Sequence, residues 1–363
     1  MRAFAILLLA ATPLLAQDSI EARLQKLEQQ VADLQRENEQ LRRDLGVEVV
    51  ARQANVKMNG RAESLQLGGL VQVQGETGKR PDARFSDSNE RVFLRRARVN
   101  LSGRFVEEFN FRAELELAGS LTNATGFRAQ LTDAYVNWNR FDVANVRAGQ
   151  FKTPFGFEQL YQDSQLFTAE RTLVSDRLTP GRQIGVQVGG NSTLERVSYA
   201  VGVFNGNGTN VNFNDNDRVM TAARIGVVPF SGRLFDTPAR WSLGTGAFST
   251  DDNNVNSFTG RRRGTGIDTQ FGIGRFDFWA EALRTTFEPA KGASFRSRGA
   301  YGQLACFVIL DRLQLVGRRE TFDSIDTNTF GVNYYFKQHD LKLQLDVLRG
   351  SGTKVIARLQ TAF

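Results

Sequence analysis

The chain has 363 residues, 41% of them apolar, and its 46 Lys and Arg against 39 Asp and Glu give a net charge of +7. One cysteine, Cys306, excludes an internal disulfide, and one histidine, His339, leaves no familiar zinc-binding spacing, so no metal or other cofactor is expected. The basic excess admits small anions, nucleic acid or acidic membrane surfaces as partners. Because no zinc-finger or RNP-type motif is present, we expect no nucleic-acid partner.

Residues 1–17 are apolar after one early charge, Arg2, and end in small residues near Ala16. This pattern predicts a secretory signal peptide, and the alternative is a buried N-terminal helix. Secretion without disulfides fits a bacterial envelope protein. No later apolar run is long enough for a spanning helix, so a membrane-spanning form of this chain would have to be a β-barrel.

Residues 18–46 carry a heptad pattern. Apolar residues alternate in steps of four and three, with one polar member, at Ile20, Leu24, Leu27, Val31, Leu34, Asn38, Leu41 and Leu45. The strict period predicts a self-associating helical coiled coil, and the alternative is an amphipathic helix packed on its own domain. The heptads do not decide between two and three chains. Residues 47–64 are interpreted as a linker.

From Leu65 to Phe363 the apolar period changes to two. In Leu341–Val347, for example, Leu341, Leu343, Leu345 and Val347 alternate with Lys342, Gln344 and Asp346. A soluble sandwich with one wet face would show the same alternation. Full charges recur on the polar face of strand after strand, and Phe, Tyr and Trp border the apolar face, which favours a transmembrane barrel.

The alternation predicts an all-β barrel of sixteen antiparallel strands. Because this number is even, the first strand begins and the last strand ends on the same side of the membrane. The predicted strands are 65–74, 91–102, 109–118, 127–138, 143–151, 182–190, 197–204, 218–228, 241–248, 265–274, 276–286, 298–309, 312–320, 328–336, 341–349 and 353–363. Long outside loops are predicted at 75–90, 152–181, 205–217, 249–264 and 287–297. The connections on the opposite side are predicted to be shorter, with the exception of a long turn at 229–240.

In this arrangement several basic residues face the lumen or lie in its third outside loop. The candidate anion-binding residues are Arg96, Arg98, Arg112, Lys152, Arg171, Arg177 and Arg182. Guanidinium groups in a confined channel concentrate anions and repel cations, because low-dielectric walls focus the field. Lys342 and Arg358 are also expected to face inward. The alternative is a general pore, in which Glu114, Glu116 and Asp133 cancel much of this charge.

Two further groups of arginines are expected outside the lumen. Arg95 interrupts the lipid-facing row of its strand, so we expect it near the membrane edge, where a long side chain can reach water. The cluster Arg261–Arg263 is expected in an outside loop against lipopolysaccharide or solvent. No Ser–His pair, P-loop or metal-spaced acidic cluster is present, so catalysis is not expected.

Four segments resemble the phosphate-selective porins O and P. They are RRARVNLSGRF (95–105), DAYVNW (133–138), GQFKTPFGFE (149–158) and PGRQIGV (180–186). The resemblance implies a trimeric outer-membrane barrel for passive anion uptake, with the third loop, 152–181, folded inward as a constriction. It points to Lys152 and Arg182, and less firmly to Arg95, Arg96 and Arg98. Gln183 stands where the family often has Asp.

The combined prediction is an outer-membrane porin for small anions, with phosphate as the candidate, and not an enzyme. Its expected partners are inorganic anions, outer-membrane lipid and lipopolysaccharide, and two further copies of itself. The coiled coil would lie in the periplasm, like the prefix of some family members, and could contact the cell wall. The alternatives are a general diffusion pore and a structural anchor whose coiled coil tethers the envelope.

Overall fold

A computed structural model describes residues 29–30, 62–87, 90–119, 127, 129–192 and 196–363. The chain divides into two compact units, residues 1–53 and 54–363. In the first unit, residues 29–30 are helical and exposed. The predicted signal peptide, most of the predicted coiled coil and most of the predicted linker lie outside the described residues and stay predictions. No helix in the described ranges is both long and apolar enough to cross a membrane.

The second unit is a closed barrel of sixteen antiparallel strands, in which each strand pairs with its neighbours in sequence and β1 pairs with β16. The strands are β1 (Ala62–Gly78), β2 (Arg91–Phe105), β3 (Phe109–Glu116), β4 (Gln130–Phe141), β5 (Ala144–Lys152), β6 (Arg182–Asn191), β7 (Val197–Phe204), β8 (Met220–Leu234), β9 (Thr237–Val255), β10 (Phe258–Ile273), β11 (Phe276–Pro289), β12 (Phe295–Ile309), β13 (Leu313–Phe322), β14 (Ile325–Lys337), β15 (Leu341–Arg349) and β16 (Thr353–Ala362). The predicted number and order of strands are confirmed.

The period-two pattern separates an apolar outer surface from a polar interior. On β15, Leu343 and Leu345 are 42% and 46% exposed, whereas Lys342 and Gln344 are 0% and 1% exposed. Successive side chains of a strand point to opposite faces, so the exposed apolar row is the outer wall and the buried polar row faces inward. This orientation agrees with the alternation of apolar and polar residues described above for Leu341–Val347 in β15.

The connections at the two ends of the barrel differ in length. One end has turns such as 106–108 and 235–236, and the other has the connections 79–90, 153–181 and 205–219. Outer-membrane barrels have short periplasmic turns and longer outside loops, so the second end is extracellular. Ala62 and Ala362 therefore lie at the periplasmic end.

Three predicted connections were wrong in extent. The predicted loop 249–264 and turn 229–240 are parts of β8, β9 and β10, joined by turns at 256–257 and 235–236, and the predicted loop 287–297 is reduced to 290–294. Arg261–Arg263 consequently lie in a strand and not in a loop. These strand ends have little apolar face, and ion pairs such as Arg262 Nε to Asp252 Oδ2 at 2.8 Å, between neighbouring strands, form there instead.

Candidate functional site

The connection between β5 and β6, residues 153–181, is the third extracellular connection and is called the third loop below. The Thr153 amide donates to the Gly181 carbonyl at 3.0 Å, which brings the two ends of the loop together. Two short helices, α1 (Phe157–Leu160) and α2 (Leu173–Leu178), lie within it. The Thr172 hydroxyl accepts a hydrogen bond from the Ser175 amide and caps α2, satisfying one of the amides that a helix start leaves unpaired.

Apolar side chains of the third loop pack against inward-facing residues of the barrel. Phe155, Val174 and Leu178 of the loop form a buried cluster with a group of strand residues that includes Phe204 and Phe248. The rings of Phe155 and Phe248 meet edge to face, with centroids 4.8 Å apart. A second aromatic group joins Phe157, Tyr161 and Phe167 to Trp279 of β11. Burial of these large side chains fixes the loop against the wall.

Inward-facing side chains of β14, β15 and β16 bind the backbone of the third loop between α1 and α2. Lys342 Nζ donates to the Leu166 carbonyl at 2.8 Å, Asn333 to the Phe167 carbonyl at 2.7 Å and Gln360 to the Ser164 carbonyl at 3.0 Å. Asp346 accepts from the Ala169 amide at 2.6 Å. An irregular segment has no ladder of its own, so the wall supplies the partners that its buried backbone groups require. Lys342 and Arg358 face inward, as the sequence predicted.

Glu170 of the third loop lies between two arginines. Arg95 holds it through two parallel hydrogen bonds of 2.7 Å each, and Arg358 contacts Glu170 Oε1 at 2.5 Å. Burial by itself would raise the pKa of Glu170, but Arg95 and Arg358 outweigh burial and lower the pKa to about 2. Glu170 is therefore ionised at neutral pH and ties β2 and β16 to the loop.

The position of Arg95 corrects the prediction that it lies at the membrane edge. The pairing of β1 with β2 shifts by one residue between Gln72 and Val73, which pair with Arg96 and Leu94. Arg95 is the extra residue of this bulge and is 7% exposed. A bulge redirects a side chain that strict alternation would send to the other face, so Arg95 points inward beside Arg96.

Four of the predicted anion-binding residues surround Asp163 of the third loop. Arg98 Nη1 lies 2.6 Å and Arg96 Nη2 3.6 Å from its carboxylate, and Arg171 is hydrogen-bonded to it. Lys152 Nζ donates to the carbonyl of Tyr161, two residues before Asp163 in the chain, at 2.6 Å. Burial by itself would raise the pKa of Asp163, but Arg171 and Arg98 hold it well below its usual range.

Arg112 and Arg182 form ion pairs with two further acidic residues, one on β3 and one on β4. Arg112 contacts Glu114 at 2.5 Å, and Arg182 contacts Asp133 at 2.8 Å and Glu114 at 4.0 Å. Arg98 joins this group to the Asp163 group, because it also lies 3.5 Å from Glu114. Arg177 is the one predicted residue apart from these groups, as it is exposed on α2.

The joined groups carry more positive than negative charge. By formal charge, the six basic residues exceed the four acidic residues by two; they are Arg96, Arg98, Arg112, Lys152, Arg171 and Arg182 against Glu114, Glu116, Asp133 and Asp163. We call these ten residues the cationic cluster. The arginine side chains Arg112 and Arg96 are 29% and 18% exposed, whereas Arg318 of β13 and Arg358 of β16 are 0% and 3% exposed. Water therefore reaches Arg112 and Arg96 more than it reaches these two arginines.

Arg96 keeps hydrogen-bonding capacity that its neighbours do not use. Its Nε is buried without a hydrogen-bond partner among the described residues, and it lies 3.8 Å from Glu116, beyond hydrogen-bond distance. Its Nη1 donates weakly to the Arg95 carbonyl at 3.3 Å. A guanidinium with an unused N–H is suited to bind an anion.

The sequence pattern of the family described as phosphate-selective porin O and P matches residues 66–273 of this chain. The chain belongs to this family. It is thus an outer-membrane porin, a channel formed by a transmembrane barrel, as its sequence motifs predicted. A search of curated proteins gives no match.

Solved structures of other outer-membrane proteins share the fold of this porin at low sequence identity. The outer-membrane channel DcaP of Acinetobacter baumannii is 13% identical, with a TM-score of 0.54 over 83% of this chain and 97% of that chain. An anion-selective porin from Comamonas acidovorans is 14% identical, with a TM-score of 0.57 over 83% and 99%. The trimer form of OmpT from Vibrio cholerae is 9% identical, with a TM-score of 0.53 over 83% and 99%.

Sequence reasoning missed the acidic residues that hold the third loop of this porin. Asp163 and Glu170 lie in an irregular stretch with no periodicity, so no pattern marks them as partners of Arg98 and Arg95. Only their place in a long loop rich in charged and aromatic residues indicated a role. In the described part of the chain, no group of three or more His, Cys, Asp or Glu residues is arranged to hold a metal ion.

Proposed function

We propose that this porin passes small anions by passive diffusion through a lumen that the third loop narrows from within. The observation that carries the proposal is the formal excess of two positive charges in the cationic cluster, of which Arg96 and Arg112 are partly exposed. Apolar packing and hydrogen bonds of the loop to β11 and to β14–β16 support its inward position.

The selectivity would arise from the field of the fixed cations. A narrow passage with low-dielectric walls concentrates field lines, so two excess charges raise the local concentration of anions and repel cations. Most guanidiniums of the cationic cluster are paired with carboxylates, which moderates the field and lets an anion leave again. Arg96 and Arg112, the most exposed arginines of the cationic cluster, are the expected points of contact.

Phosphate is the candidate anion. The planar fork of an arginine pairs with phosphate oxygens through two donors, and Arg96 and Arg112 both retain donors without a hydrogen bond to any described residue. The family to which the chain belongs, the phosphate-selective porins O and P, points to the same anion.

Conductance across a planar bilayer tests the proposal. In a potassium chloride gradient, the reversal potential of the wild-type channel should show preference for chloride over potassium. In the double variant Arg96→Gln, Arg112→Gln the anion preference should fall, and added phosphate should block chloride current less than in the wild type. Arg319→Gln is the matched control, because Arg319 is 70% exposed and pairs with Asp326 on the outer wall. A wild-type preference for potassium would refute anion selectivity.

A general diffusion pore is the second candidate, and the pairing of most cluster arginines with carboxylates favours it. It predicts a reversal potential near zero that the double variant leaves unchanged.

A structural anchor remains the third candidate, in which the predicted coiled coil 18–46 tethers the envelope. Deletion of residues 18–60 should then weaken envelope attachment and leave conductance intact, and absence of conductance in the intact protein would favour the anchor.

We also propose that three copies assemble in the outer membrane, with the predicted coiled coil in the periplasm. The resemblance to trimeric porins and the trimer form of OmpT, which shares the barrel fold, support this assembly. Light scattering of the detergent-solubilised protein gives the number of copies. A mass of two protein chains after correction for detergent would contradict the proposal.

A further inference from the structure

A groove of about 590 Å³ lies on the outer wall of the barrel, where β9 to β13 run side by side. It is lined mainly by small residues on the lipid-facing side, among them Thr265, Ala282 and Ala300. Their neighbours Ile267 and Arg284 are larger and form its rim. Ala282 and Ala300 are directly paired in the sheet, and glycines flank the line at 266 and 299. A row of small side chains between larger ones leaves a depression in an otherwise filled wall.

Two arginines lie side by side at the groove. Arg284 of β11 and Arg298 of β12 are directly opposite each other in the ladder, and both are exposed. Directly opposite side chains have Cβ atoms about 5 Å apart, and like charges at this distance repel. Neither guanidinium forms a salt bridge with a carboxylate of the described residues. Asp323, which also lines the groove, accepts a hydrogen bond from the backbone amide of Arg298 at 2.9 Å.

Two other arginines on the outer wall do have acidic partners. Arg263 is hydrogen-bonded to Glu288, and Arg319 lies 3.7 Å from Asp326. Arg284 and Arg298 differ from these two, because they lie directly opposite each other and neither forms a salt bridge with a carboxylate of the described residues. An external anion would complete this arrangement.

The height of the two arginines on the wall indicates where this anion would lie. β11 begins at the periplasmic end with Phe276, which is 49% exposed, and Arg284 follows eight residues later (284 − 276). At about 3.3 Å per residue and a strand tilt of roughly 40°, Arg284 stands about 20 Å above Phe276. The apolar band of such a barrel is about 25 Å tall. Arg284 and Arg298 thus lie near the outer-leaflet headgroups, and Ala282 and Ile267 lie just below, at the level of the acyl chains.

We propose that this groove binds one phosphorylated glycolipid of the outer leaflet. A phosphate of its headgroup lies between Arg284 and Arg298, and one acyl chain lies along Thr265, Ala282 and Ala300. The phosphate relieves the repulsion of the two guanidiniums and supplies acceptors for their forked donors. The acyl chain fills the space that larger side chains would occupy elsewhere on the outer wall, and so buries apolar surface.

The charge and the shape of the groove require an occupant with an anionic head and an apolar tail, and the height selects the outer leaflet. The groove faces away from the lumen, so this inference does not depend on anion selectivity of the channel. It depends on the position of the barrel in an outer membrane.

Native mass spectrometry of the full-length protein in mild detergent tests the proposal, with diphosphoryl lipid A as the probe. The wild type should retain one lipid A per barrel, and the double variant Arg284→Gln, Arg298→Gln should bind it at least tenfold more weakly. Arg319→Gln, a matched loss of one outer-wall charge, should bind like the wild type. Filling the groove with Ala282→Leu, Ala300→Leu should also weaken binding, although both arginines remain.

Several outcomes would overturn the proposal. They are unchanged binding in Arg284→Gln, Arg298→Gln, unchanged binding in the filled groove, and equal weakening in Arg319→Gln. Equal retention of phosphatidylglycerol or of uncharged phosphatidylcholine would reject a phosphorylated glycolipid as the occupant. Dissociation of lipid-free oligomers by the same double variant would instead assign the groove to contacts between copies. Heat-modifiable migration on gels shows that each variant barrel is folded before binding is compared.

Discussion

Arg95 and Glu170 form two parallel hydrogen bonds of 2.7 Å each, between a bulge in β2 and the middle of the third loop. The arginine is the extra residue of the bulge, so its guanidinium enters the barrel beside Arg96. Both side chains are nearly fully buried. The pair joins the wall that bears the cationic cluster to the segment proposed to narrow the lumen.

Removing the charge of Glu170 should loosen the third loop. Glu170→Gln leaves Arg95 and Arg358 without their carboxylate, and breaking a buried ion pair typically costs about 3–5 kcal/mol. Because the strands pair with one another without the loop, the barrel itself should remain. We expect larger and noisier single-channel conductance in planar bilayers. Conductance identical to the wild type would show that Glu170 does not hold the loop.

Glu320→Gln is a useful comparison for Glu170→Gln. Glu320 is also buried and accepts a hydrogen bond from the Leu173 amide of α2 at 2.8 Å. An amide oxygen can still accept this bond, so Glu320→Gln should change conductance less. A larger effect from Glu320 than from Glu170 would place the main anchor at α2.

Acid should release the same contact. The pKa of Glu170 is lowered to about 2 from the ordinary 4.5, so its ionised form stabilises the folded loop. The stabilisation is fully present above pH 4.5 and is lost as the pH falls from 4.5 through 2. We expect conductance noise to rise in this interval in the wild type. Glu170→Gln should show the noise already at neutral pH, without the same transition.

His339 should add a second, milder acid dependence. It lies in the turn 338–340, where burial and the nearby Lys342 lower its pKa to about 4 from the ordinary 6.5. A lowered histidine pKa means that the folded protein holds the neutral ring, so stability is lost as the pH falls from 6.5 through 4. His339→Gln should flatten the decrease in heat stability over this interval. An unchanged pH profile would contradict the prediction.

Neutralising Asp163 should strengthen anion preference. Asp163→Asn removes a carboxylate from the cationic cluster, so the excess rises from two to three positive charges around Arg98 and Arg171. The reversal potential in a salt gradient should move toward that of chloride. Asp323→Asn, outside the lumen, provides the control and should leave it unchanged. A shift toward potassium with Asp163→Asn would show that the cluster does not face the conducting path.

Gly149 should be essential for the junction of β5 with β4. Its φ is 129°, and a Cβ there would lie 2.2 Å from the Ala134 carbonyl oxygen. Gly149→Ala should therefore destabilise the barrel by about 1–3 kcal/mol from backbone strain, with the steric clash added. Gly317→Ala is the control, because nothing lies within 4 Å of a Cβ at Gly317. The temperature at which folded migration on gels is lost should fall for Gly149→Ala alone.

The strands were predictable because a barrel wall has a different solvent on each face. Leu343 must contact lipid and Lys342 the interior, so every second residue carries the same requirement. The period-two pattern is lost at 229–240 and 249–264, although these segments belong to β8, β9 and β10. Polar residues such as Arg262 and Asp252 pair between neighbouring strands there, so apolar and polar residues do not alternate.

The sequence by itself determined the number and order of the sixteen strands, the two faces of strands such as β15, the family, and the basic character of the third loop and of the wall beside it. These properties follow from local periodicity and short motifs. Only the tertiary structure decided that Arg95 points inward, that Asp163 gathers Arg96, Arg98 and Arg171, and that Arg284 and Arg298 share a groove. Such partners are far apart in sequence and meet because the ladder register and the path of the loop bring them together.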